Sequence, residues 1–127
     1  MNLRNLFRVS AVLLMIGGLV WLLAPQSTAA SVGNELDPYG TYILQQLGAT
    51  TIALAALLFL VSGMASSPAR QAVVTVMIVP QVLSGIVGLL AVLGGAVPAG
   101  AGWFGVAFNL VFALAFAYFR FIRPEQA

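Results

Sequence analysis

The chain has 127 residues, of which 61% are hydrophobic and 6% are charged, whereas charged residues make up about 25% of an ordinary soluble domain. Five basic and three acidic side chains are too few to cover the surface of a soluble globule of this size. The lack of His and Cys excludes His general-base catalysis, thiol chemistry and metal sites built on those residues. The composition predicts an integral membrane protein.

Four apolar stretches are long enough to cross a bilayer as helices, which takes about 20 residues each. We predict spans at residues 6–24, 41–63, 72–93 and 103–122. An outer loop at 25–40, a cytoplasmic turn at 64–71 and a Gly- and Pro-rich outer loop at 94–102 separate them. Because backbone polar groups in lipid must bond within the span, the sequence predicts an all-α bundle of four transmembrane helices, forming one membrane domain over residues 1–127.

The first span has a second interpretation. Arg4 and Arg8 precede an apolar core at residues 9–23, and Ser27-Thr28-Ala29-Ala30 resembles the small-residue cleavage site of a signal peptide. Cleavage would leave three helices and an outer N-terminus. The apolar core with its flanks is long enough for a retained span, so we expect four helices.

The outer loop holds two of the three carboxylates, Glu35 and Asp37, beside Asn34. Such a sparse ligand set favours a solvated acidic turn over a cation site, and we expect no metal. The sequence Asp37-Pro38-Tyr39-Gly40 predicts a turn into the second span, with Asp37 or Thr41 as the helix cap.

Neutral polar residues in the spans are the candidate ligand-binding groups. At 1.5 Å per residue, Thr50, Gln81 and Asn109 all fall near the bilayer midplane, where they either form interhelical hydrogen bonds or line a small pocket. Pro80 removes a backbone N–H from the third span, and Thr75 or Gln81 is expected to help satisfy the freed carbonyl. No charged residue lies in the middle of a span, which disfavours a proton-coupled pump.

The fourth span carries two rows at four-residue spacing. Gly105, Asn109, Ala113 and Ala117 form a row of mostly small residues that should face a neighbouring helix, since membrane helices associate through small residues. The adjacent aromatic row consists of Phe104, Phe108, Phe112 and Phe116. This row is either packing bulk or a docking face for a partner protein or an apolar ligand.

The arginines predict the orientation, because short cytoplasmic loops carry the excess of positive charge. In the four-span topology Arg4, Arg8, Arg70, Arg120 and Arg123 all fall on one side, and Glu35 and Asp37 fall on the other. We therefore expect both termini in the cytoplasm and a multi-pass protein of the bacterial inner membrane. The net charge of +2 follows from this orientation, and we expect no nucleic-acid partner because no basic patch is present.

Several segments carry a family resemblance. They are the first span's end at Leu22-Leu23-Ala24-Pro25, the second span from Leu47-Gly48-Ala49-Thr50 to Leu57-Leu58-Phe59-Leu60, the Ser67-Pro68-Ala69-Arg70 turn and the Phe- and Ala-rich segment 103–118. With its basic start, the chain resembles small four-helix inner-membrane proteins of bacteria that have no assigned function. The resemblance implies a fold and a location and carries over no catalytic residue.

The expected function follows from the lack of a positioned acid, base or nucleophile. We predict a non-enzymatic structural or accessory subunit of a larger membrane complex, surrounded by the lipid bilayer and without a cofactor. The alternative is a small transporter or a lipid- or quinone-binding module with a neutral polar pocket at the midplane.

Overall fold

The computed structural model describes residues 2–124, and this part of the chain is helical with no strand. The α-helices are α1 (Leu3–Leu23), α2 (Pro25–Ser31), α3 (Pro38–Ser62), α4 (Pro68–Leu93) and α5 (Ala99–Ala117), and a π-helical turn (Tyr118–Ile122) follows α5. Four helices in these residues are long and apolar enough to cross a membrane: α1, α3, α4, and α5 with the π-helical turn. The prediction of an all-helical chain with four such segments is confirmed.

The chain divides into two compact units, one ending at Gly63 and the other starting at Met64. The first unit consists of α1, α2 and α3, and α1 packs against α3. Asp37 is the N-cap of α3, and its Oδ1 accepts a hydrogen bond of 2.6 Å from the backbone N–H of Gly40. This side chain satisfies one of the free donors of the first turn, so the predicted cap at Asp37 is confirmed.

The loop between α1 and α3 contains the short helix α2, which the sequence analysis did not predict. Pro25 is its first residue, a position at which proline is favoured because its missing N–H is not needed there. Gln26 Nε2 donates to the carbonyl of Leu36 at 3.2 Å and to Thr41 Oγ1 at 2.8 Å. These two bonds connect the start of α2 to the segment that enters α3.

The backbones of α1 and α3 approach each other closely at Gly18 and Gly48. A Cβ on Gly48 would lie 2.7 Å from the carbonyl oxygen of Gly18 and 2.7 Å from the backbone nitrogen of Leu22. A Cβ on Gly18 would lie 2.9 Å from the carbonyl oxygen of Gly48. The two backbones touch, and any side chain at either position would force the helices apart.

A side-chain amide supports the same contact near the end of α1. Gln45 Nε2 donates to the carbonyl of Leu22 at 3.2 Å, which is one of the last carbonyls of α1 and has no partner within its own helix. A side chain on α3 therefore caps the C-terminal end of α1. It is the kind of interhelical polar contact that holds membrane helices together.

The second unit is an antiparallel hairpin of α4 and α5. Three pairs of residues define the register between the two helices. A Cβ on Gly85 would lie 3.7 Å from the Cβ of Asn109, one on Gly88 would lie 3.3 Å from Val106, and one on Gly102 would overlap the side chain of Val92. In each pair the two residue numbers have the same sum, as an antiparallel pair requires. The α5 face against α4 therefore runs through Gly102, Val106 and Asn109, and the same register brings Ala113 opposite Gln81.

This line differs from the predicted row of small residues. Asn109 and Ala113 belong to it, but a Cβ on Gly105 would meet no atom within 4 Å. Alternating steps of three and four residues keep a line straight along a helix, whereas repeated steps of four drift around it. The line through Ala113 and Asn109 therefore continues to Val106 and Gly102, whereas four-residue spacing would continue it to Gly105.

The end of α5 and the start of α4 carry arginines. Arg70 is buried, and its Nη1 donates to the carbonyl of Met64 at 3.0 Å across the turn before α4. The π-helical turn, closed by a bond from the backbone N–H of Arg123 to the carbonyl of Tyr118 at 2.9 Å, carries Arg120. Glu125, the third carboxylate, lies outside the described residues.

Candidate functional site

The three predicted midplane residues lie in different environments. Thr50 is exposed on α3 in the first unit, and its hydroxyl donates to the carbonyl of Gln46 at 2.9 Å. Asn109 Nδ2 donates to the carbonyl of Gly105 at 2.8 Å, within α5. Both of these bonds stay within one helix, and neither crosses to another helix.

Gln81 is buried on α4, with 9% of its surface exposed. Its side chain has no hydrogen-bond partner among residues 2–124, and Thr75, the other group expected to compensate for Pro80, donates instead to the carbonyl of Gln71 at 3.1 Å. The helix continues through Pro80 without a break. Neither amide atom of Gln81 is among the fully buried, unpaired side-chain atoms of the described residues, so part of the amide remains accessible.

Replacing Gln81 by Leu is expected to change the free energy of unfolding by less than about 0.5 kcal/mol, because the amide has no hydrogen-bond partner among residues 2–124 to lose and leucine keeps a similar volume. The matched control is Gln45→Leu, which removes the bond to the Leu22 carbonyl and should lower stability by about 0.6–1 kcal/mol. Both are measured by unfolding in mixed micelles. A loss of stability in Gln81→Leu would show that its amide has a bonding role.

The aromatic row on α5 changes from exposed to buried along its length. Phe104 is 71% exposed and Phe116 is fully buried, with Phe108 and Phe112 between them half-buried. Each four-residue step turns about 40° beyond a full turn, so the row winds toward the α4 side as it descends. The rings of Phe104 and Phe108 are 6.3 Å apart, and those of Phe108 and Phe112 are 4.7 Å apart, distances at which aromatic rings attract each other.

A groove of about 540 Å³ lies in the second unit near the start of α4. It is lined by Pro68, Gln71, Ala72, Thr75, Val76 and Arg120. Arg120 Nε donates to Thr75 Oγ1 at 2.8 Å, and both amide atoms of Gln71 are buried without a partner among the described residues. From the sequence, Arg120 indicates only the orientation, and the groove is not predicted because its two sides are 45 residues apart in the chain.

The chain was also compared with known proteins. No family model, no curated protein and no solved structure matches it.

Proposed function

We propose that the chain is a non-enzymatic, multi-pass protein of the bacterial inner membrane that acts as a structural or accessory subunit of a larger membrane complex. The observation that carries this proposal is the aromatic surface on α5, formed by the exposed Phe104 and the half-buried Phe108 and Phe112. Phe104 is two residues from Gly102, so it lies on the side of α5 opposite to α4. Aromatic side chains are enriched at protein interfaces, and three adjacent rings offer a partner helix a preformed surface.

The bonding of the polar groups in the spans also favours this function. Thr50, Thr51 and Asn109 each bond to a carbonyl four residues earlier in the same helix. A transporter or a quinone-binding module needs polar groups directed into a pocket. The alternative with a midplane pocket therefore has less support than a role in assembly.

The proposed orientation, with both termini in the cytoplasm, is supported by the second unit. The hydrogen bond from Arg120 to Thr75 brings the end of α5 to the first turns of α4, which begin beside Arg70. Two arginine-bearing segments thus lie at the same end of the hairpin. Short loops rich in arginine favour the cytoplasmic side.

The test is a photo-activated cross-linker placed at Phe104 in cells that express the chain at its natural level. We expect a discrete adduct with a different membrane protein. Leu114 is the matched control, because it is 61% exposed on the same helix but lies about 80° from Phe104 and outside the aromatic row.

The result at Leu114 is expected to be a diffuse pattern of lipid adducts. The same pattern at both positions would contradict the proposal, as would an adduct at Phe104 that contains a second copy of this chain and nothing else. In mild detergent, the wild-type chain should elute with its partner, and a Phe104→Ala and Phe108→Ala double variant should elute without it.

A further inference from the structure

Among the described residues, no carboxylate balances the positive charge of Arg120 beside the groove. Glu35 and Asp37 are the carboxylates in the described part of the chain, and within it Arg120 forms no ion pair. Its Nε–H is bonded to Thr75, while its four other N–H groups have no partner there. A guanidinium group held in one orientation with free donors is suited to bidentate binding of a phosphate.

The rest of the lining is largely apolar and continues along the helix. Pro68, Ala72 and Val76 form this side of the groove, and Val76 is 62% exposed. Gln71 adds an amide whose nitrogen and oxygen are both buried without partners among residues 2–124, and buried amides are rarely left unsatisfied. The lining thus combines a cation with an apolar wall, and it includes an amide that has no partner among the described residues.

The backbone at Arg120 is also unusual, because the residue lies in the π-helical turn Tyr118–Ile122. Such turns are rare and occur frequently at functional sites. The orientation proposed above puts this end of the hairpin at the cytoplasmic surface, where anionic lipids are found and where basic pockets bind their headgroups.

From these observations we infer that the groove binds an anionic phospholipid, with the phosphate on Arg120 and an acyl chain along Ala72 and Val76. Thr75 orients the guanidinium, whose remaining N–H groups donate to the phosphate. The inference rests on the proposed orientation and is independent of any partner complex, because lipid binding is measured on the isolated chain.

The test is native mass spectrometry of the purified, delipidated chain, titrated with phosphatidylglycerol or with phosphatidylcholine of the same acyl chains. We expect at least fivefold tighter binding of phosphatidylglycerol to the wild type, and at least a fivefold loss of this binding in Arg120→Gln. Arg123→Gln is the matched control, since it removes the same charge from an exposed arginine that does not line the groove, and its binding should stay within twofold of the wild type.

Thr75→Val is a second variant that keeps the charge of Arg120 and should weaken binding two- to threefold, because the guanidinium loses its orientation. Circular dichroism checks that each variant keeps its helix content. Equal losses in Arg120→Gln and Arg123→Gln would overturn the inference, since they would indicate attraction to charge in general. Displacement of the lipid by an equal concentration of inorganic phosphate would overturn the lipid assignment.

Discussion

Replacing Gly48 by Ala is expected to lower the free energy of unfolding by about 2–3 kcal/mol, at the upper end of the range for overpacking. The new Cβ would lie 2.7 Å from the carbonyl oxygen of Gly18 and 3.2 Å from the Cα of Leu22. These are backbone atoms, so no change of rotamer relieves the overlap, and α1 and α3 must separate. Unfolding in mixed micelles, followed by loss of helix content, measures the effect.

Gly17→Ala is the matched control for this prediction. A Cβ at Gly17 meets no atom within 4 Å, and alanine favours the helix by about 1 kcal/mol over glycine. This variant is therefore expected to be as stable as the wild type or slightly more stable. If Gly48→Ala were equally stable, the close approach of the two helices would be contradicted.

The sequence predicted the helical class well because the signals for it are local. Each span is marked by a long apolar stretch, and the start of α3 by Asp37 followed by proline. The hydrogen bond that caps α3 joins residues three apart. These signals depend on residues within one or two helical turns of each other and do not depend on the neighbouring helices.

Contacts between helices could not be predicted in the same way. The α1 and α3 contact depends on Gly18 and not on Gly17, although both are glycines in the same helix. Pairs of small residues at four-residue spacing are common in such an apolar sequence, so spacing alone does not identify the face that is used. The register between two helices decides it, and that register depends on the whole loop from residue 24 to residue 37.

The candidate sites show the same limit. Thr50, Gln81 and Asn109 share a predicted depth in the membrane, but depth does not indicate whether a side chain bonds to its own helix, as Thr50 and Asn109 do. The groove at Arg120 requires a bond between residues 45 positions apart and a π-helical turn. No local pattern in the sequence predicts either of these features.

Replacing Gly102 by Ala is the corresponding prediction for α4 and α5, and it is expected to cost about 1–2 kcal/mol. Here the new Cβ would overlap the side chain of Val92 and would lie 2.8 Å from Cγ2 of Val97. Valine is restricted at χ1, so neither side chain moves away freely. The opposing atoms nevertheless belong to side chains, which makes the defect reversible by a second substitution.

Gly102→Ala should therefore cost at most half as much stability when it is introduced into Val92→Ala as when it is introduced into the wild type. A double-mutant cycle in mixed micelles measures the difference. Gly105→Ala, on the same helix, meets no atom within 4 Å and should be as stable as the wild type or slightly more stable. Strictly additive effects of the two substitutions would contradict the register of this hairpin, because they would show that Val92 and Gly102 are not in contact. A second substitution to a smaller residue cannot restore the stability of Gly48→Ala, because the new Cβ overlaps backbone atoms. The contacts at Gly48 and at Gly102 therefore predict different responses to a second substitution.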